Sequence, residues 1–179
     1  RLWLRGSFPS AYLAKTEAES FKWRADLVST FIERDIPRLG IGIDPAVLSR
    51  FWTMLAHYHG QVCNLSELGR SLGVSHTTVR SYIDLLAKTF VVRVLRPWAE
   101  NLGKRIVKAP KVYVADSGLV HSLLNIPTRR DLEAHPKLGA SWEGFVIAQL
   151  ARKLRARDSE LHFWATHAGA ELDLMLVRG

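Results

Sequence analysis

The sequence predicts an α+β fold. Three features carry that expectation: helical apolar spacing through the first third of the chain, two short helices joined by Gly73-Val74-Ser75 and trailed by two alternating apolar runs, and a late helix followed by a hairpin. The organisation they give is a helical region over residues 1–60, a winged helix-turn-helix over 61–115 and a smaller α/β region over 116–179.

Residues 1–14 hold Gly6, Pro9 and several aromatics, and read as a turn or short helix. From Trp23 to Ile36, Leu27, Val28, Phe31 and Ile32 recur at helical spacing, and Pro37 with Gly40 should end that helix. Asp44-Pro45 is a helix start, with Asp as N-cap and Pro as first helical residue. Leu48, Phe51, Trp52, Leu55 and Tyr58 follow on one face, and Gly60 stops the run. A short helix over 64–72 comes next, and Ser75 caps a second one over 76–88, with Val79, Ile83 and Leu86 inward. Strands are expected at 90–95 and 106–114, on either side of Pro97, Asn101 and Gly103. Asp116-Ser117-Gly118 reads as a turn before a short helix at 119–124, and the polar stretch 128–138 as a linker. Ser141 should cap a helix over 142–155, and strands at 161–164 and 170–177 flank a His167-Ala168-Gly169 turn.

The chain has 179 residues and a formal net charge of +8, which favours a polyanionic partner, nucleic acid first and an acidic membrane surface second. Basic charge can also serve solubility alone. A single cysteine, Cys63, excludes an internal disulfide, and with no His/Cys cluster around it a buried structural thiol is expected. No apolar stretch approaches the roughly 20 residues of a membrane span, so the cytoplasm is the expected compartment, with no membrane partner. The chain opens at Arg1 rather than Met, and its last strand has no partner strand in sequence. Both ends are therefore expected to be cuts through a longer protein.

The helix-turn-helix carries the clearest chemistry. Leu68, Leu72, Val74 and Val79 should pack the angle between its helices. The start of the second helix then offers His76, Thr77, Arg80 and Ser81 outward, short polar groups and one arginine suited to base edges and phosphates in a major groove. Lys104, Arg105, Lys108 and Lys111 crowd the hairpin tip and second strand, where a wing would follow the DNA backbone. A second constellation is acidic. Glu171 and Asp173, two apart on a strand, should project from one face. With Glu143 near the start of the preceding helix, they could hold Mg²⁺ for phosphodiester cleavage. The same residues can instead be the wet face of an amphipathic hairpin and a first-turn glutamate favoured by the helix dipole. No P-loop and no GxSxG occur, and the seven histidines are scattered.

Five strings add a family resemblance: Leu2 to Pro9 (LWLRGSFP), Phe31 to Ile36 (FIERDI), Lys111 to Leu119 (KVYVADSGL), Trp142 to Val146 (WEGFV) and Gly169 to Leu174 (GAELDL). In this order, across essentially the whole chain, they resemble the domain of unknown function (family 4143) that follows the P-loop module of many AAA+-type ATPases. The resemblance implies an ATPase module upstream, through which alone ATP would bind, then a winged helix, then an incomplete part of restriction-endonuclease, PD-(D/E)XK type. There Glu143 would match the helix acid and Asp173 the strand acid, while the acid-x-Lys strand would lie beyond Gly179. Ala148 stands where relatives often carry a second helix glutamate. The leading expectation is a DNA-binding accessory region of such an ATPase, holding no cofactor and without catalysis in this chain. The alternatives are a Mg²⁺-dependent nuclease completed by residues beyond it, and a protein-interaction module marked by exposed aromatics such as Trp98 and Trp164.

Overall fold

The computed structural model describes residues 1–98 and 107–178. The expected strand at 106–114 begins partly outside that range, and Lys104 and Arg105 lie wholly outside it. The chain opens with two short helices, α1 (Leu2–Arg5) and α2 (Pro9–Leu13), and a longer one, α3 (Glu17–Thr30). Helix α3 starts six residues before the apolar spacing suggested. Thr16 and Glu19 form a reciprocal cap, each side chain accepting the other's backbone N–H. A π-helical turn at Phe31–Asp35 then leads into α4 (Ile36–Arg38). Pro37 lies within a helical run that continues unbroken from Glu17 to Arg38, just after the π-helical turn and one residue before the run ends. Helix α5 (Pro45–His57) begins as read, with Asp44 Oδ1 accepting from Ala46 N at 2.7 Å.

Strand β1 (Gln61–Val62), α6 (Leu65–Leu72), α7 (His76–Lys88), β2 (Val92–Pro97) and β3 (Lys111–Val114) follow. Asn64 and Ser75 cap α6 and α7, accepting from Glu67 N and Thr78 N. Gly73 ends α6 at φ 72°, the left-handed region that a side chain disfavours. Beyond β3 come α8 (Ser117–Leu123), α9 (Arg129–Glu133), α10 (Leu138–Lys153), β4 (Leu161–Ala165) and β5 (Glu171–Leu176). The Asp116-Ser117-Gly118 turn is the cap and first turn of α8, because Asp116 Oδ1 accepts from Leu119 N at 3.2 Å. The expected linker is folded: Thr128 and Asp131 cap α9 reciprocally, and Leu132 is buried in the core. Ser141 does not cap α10; it sits within the first turn, its hydroxyl engaged elsewhere.

All five strands form one sheet in the order β1-β3-β2-β4-β5. β3 pairs antiparallel with β1 and β2, β2 runs parallel to β4, and β4 pairs antiparallel with β5. The sheet therefore crosses the boundary at residue 115 that separates the second and third regions in sequence. A large apolar core joins α1, α4, α5, α6, α7, α8 and α9 to β2 and β3, and a smaller one packs α10 against β2, β3 and β4, with Val62 of β1 beside it. Gly118 explains how closely α1 and α8 meet. A Cβ there would lie 2.2 Å from the Arg5 carbonyl oxygen. Beside this contact Asp116 Oδ2 accepts from both the backbone N–H and the hydroxyl of Ser7 at 2.7 Å. Two of the five family strings thus dock on each other. Among the described residues no helix is long and apolar enough to cross a membrane.

Candidate functional site

Helix α7 presents His76, Thr77, Arg80 and Ser81 to solvent, all four exposed on the face opposite buried Val79, Ile83 and Leu86. Its N-terminus is held by a cluster of hydroxyls: Ser75 Oγ lies 2.7 Å from Thr77 Oγ1 and 2.8 Å from Thr78 Oγ1. Ser81 donates back to the Thr77 carbonyl at 3.1 Å, leaving its oxygen as an outward acceptor. The free N–H groups of this first turn favour an anion. Lys108 and Arg96 are exposed, and both line one groove with Arg80. Arg96 escaped the sequence reading, although alternation on β2 sets it opposite buried Leu95 and so outward. Helix α7 and the β2–β3 arm thus bring three cations to one side of the molecule.

Lys111 is elsewhere. Its side chain is 3% exposed and its ammonium is paired with Glu171, with Asp173 at 3.0 Å and with Glu143 at 3.3 Å. The ring of Phe163 lies beneath it, 5.6 Å from Nζ to the centroid. A lysine expected on the wing is thus an internal counter-ion, and the three acids singled out in the sequence are gathered around it. Burial pulls the Lys111 pKa down, but the hydrogen bonds to Glu171 and Asp173 and the charge of Glu143 outweigh it, leaving the pKa above the ordinary lysine value. Tyr113 completes the cluster, donating its hydroxyl to Glu143 at 2.5 Å. Burial, then the Glu143 carboxylate, push the Tyr113 phenol far above the usual range, so it remains a donor. Tyr113 gave no signal in sequence, because in an apolar run its ring is what a core strand needs.

Magnesium, which the resemblance implies, does not fit this cluster as it stands. The Lys111 ammonium already lies among the carboxylates, and among the described residues no three acidic, histidine or cysteine side chains are placed to hold one ion. Cys63 is buried, and that burial raises its thiol to about 11, so it is no nucleophile near neutrality. Trp98 and Trp164 are half-buried, Trp98 lying edge-on to His162 with centroids 5.1 Å apart.

Two curated relatives match nearly all of the chain: Uncharacterized protein Mb2031c of Mycobacterium bovis and Uncharacterized protein Rv2008c of Mycobacterium tuberculosis. Each is 51% identical over 174 residues, which is 97% of this chain and 39% of the relative. The chain therefore spans about two fifths of the length of the relatives it matches. No solved structure matches. The family 4143 resemblance narrows on comparison: the model described as "Domain of unknown function (DUF4143)" matches residues 138–179, the stretch holding all three acids. Residues 1–130, which contain α6, α7 and Lys111, match another model, and on that match the chain belongs to the family described as "Domain of unknown function (DUF8612)".

Proposed function

We propose that residues 61–115 are a winged helix-turn-helix that binds DNA, and that the chain is a DNA-binding accessory region of an AAA+-type ATPase whose nucleotide module lies outside it. The observation that carries the DNA reading is the exposed N-terminal face of α7, with Arg80 beside Arg96 and Lys108 of the neighbouring arm. The element order supports it: helix, strand, two crossed helices, then two strands, with β3 between β1 and β2. In this reading α7 enters the major groove, Arg80 reaches a base edge or phosphate, and Lys108 and Arg96 neutralise the backbone. Affinity for a short duplex should fall steeply with salt, with a slope of log K against log[salt] near −0.9 per neutralised phosphate. Titrations between about 50 and about 200 mM salt test this; no binding at the low end removes the reading.

A second reading, a metal-dependent nuclease completed by residues outside this chain, draws on the gathering of Glu143, Glu171 and Asp173. It requires Lys111 to yield its place. The full-length protein and its Asp173→Ala variant should then differ in Mg²⁺-dependent DNA cleavage, and equal cleavage or none from either rejects it.

A further inference from the structure

Between α7 and the β2–β3 arm lies an open groove of about 510 Å³. Its walls are of two kinds. Leu65, Val94, Pro97 and Pro110 give it apolar lining, while Arg80, Arg96 and Lys108 line it with Asp84. Among the described lining residues, three cations to one carboxylate select an anionic occupant. The apolar lining selects further: Leu65, Val94, Pro97 and Pro110 are each only partly covered, so the recess presents aliphatic surface. A paired duplex offers such a recess nothing, because its base faces are stacked on one another and its exterior is sugar, phosphate and base edge. An unpaired nucleotide offers both halves of the match, a flat apolar ring face to cover and a phosphate to neutralise.

We propose that this groove binds one unpaired nucleotide of a DNA strand, its base laid on Leu65, Val94 and Pro97 and its phosphate held by Arg80, Arg96 and Lys108. The proposal rests on the DNA-binding reading above and narrows it: the preferred target is a duplex with an extrahelical or terminal unpaired base. Arg80 is shared by the groove and the exposed face of α7, so duplex and unpaired base would be held side by side. The size is sufficient, since sites for compact organic ligands run from roughly 300 Å³ upward.

The test uses the full-length protein and fluorescence anisotropy at one fixed low salt concentration. Three labelled DNAs of the same sequence are compared: a blunt duplex, the duplex with a single-nucleotide bulge, and that bulge carrying an abasic residue. The bulged duplex should bind several-fold more tightly than the blunt one, because one base face leaves water for aliphatic surface. The abasic bulge should fall back to the blunt value, because it keeps the phosphate and the kink but has no ring. A photoreactive thiothymine at the bulge should crosslink to peptides of α7 or β2. Equal binding of blunt and bulged DNA overturns the groove proposal while leaving duplex binding intact. Equal binding of the abasic and base-bearing bulges, or crosslinks confined to other elements, does the same. Absence of binding to all three overturns the DNA reading itself.

Discussion

Lys111 shows how one residue can change meaning between sequence and structure. In sequence it continues a run of wing lysines; in the fold its strand position turns it inward against Glu143, Glu171 and Asp173. The acids belong to α10 and β5 and the lysine to β3, so the ion cluster ties the edge strand β5 and helix α10 to β3, three strands away in the sheet. Removing the cation leaves three carboxylates facing one another. Lys111→Met should therefore destabilise the chain by about 1–3 kcal/mol, less than for a fully buried pair because Glu171 and Asp173 are partly wet. Adding Asp173→Asn should restore part of the loss, and urea unfolding of the single and double variants measures both. No loss in the single variant would show the cluster to be energetically idle. The raised Lys111 pKa has a sign: its contribution is complete below the unfolded lysine value, about 10.4, and is lost as pH rises through the folded one.

At the scale of elements, the caps at Asp44 and Ser75 are legible because a cap is a local bond between a side chain and N–H groups two or three residues on, whereas Asn64, read as part of its helix, is the cap before it. Thr16 and Thr128 use the same chemistry, but each opens a polar stretch, and with no apolar stripe to follow the helix was read late or as a linker. Ser141 failed for the opposite reason. Its hydroxyl donates to His121 Nε2 at 2.7 Å and accepts from Trp3 Nε1 at 2.9 Å, while His121 Nδ1 donates to the Leu4 carbonyl at 2.8 Å. These partners are distant in sequence, and together they lock α1, α8 and α10. The relay needs neutral His121. Burial, the largest cause, and the nearby charge of Arg24 lower its pKa to about 4 even though the hydrogen bond to Leu4 opposes them. His59, whose Nδ1 accepts from Val114 N at 3.0 Å, is lowered to about 3, chiefly by burial. Both histidines would take a proton near pH 6.5 once unfolded. Stability should thus be complete above about pH 6.5 and fall progressively as the medium is acidified toward the folded values. Thermal unfolding followed from neutral pH downward checks this, and His121→Gln should flatten the decline; a midpoint indifferent to pH over that window would contradict it.

For the whole molecule, the α+β class and the succession of α6 and α7 can be read from periodicity and turn residues, but the sheet cannot. β1 is two residues long, and the parallel pairing of β2 with β4 joins segments more than sixty residues apart, leaving no local trace. That pairing joins the last hairpin to the sheet of β1, β2 and β3. Charge behaves likewise: the net +8 is a property of composition, whereas the cations shared by α7 and its arm are a property of the fold. Separating the two is the central test. The double variant Arg80→Glu with Lys108→Glu reverses two charges on the proposed face; Lys22→Glu with Arg129→Glu reverses two exposed ones on α3 and α9, for the same change in net charge. Duplex affinity of the two variants at matched low salt is the measurement. The account predicts a loss of at least about tenfold for the first pair, as expected when two phosphate contacts become repulsions, and a far smaller one for the second. Equal losses from both pairs would contradict it, leaving the basic charge a general attraction with no dedicated face.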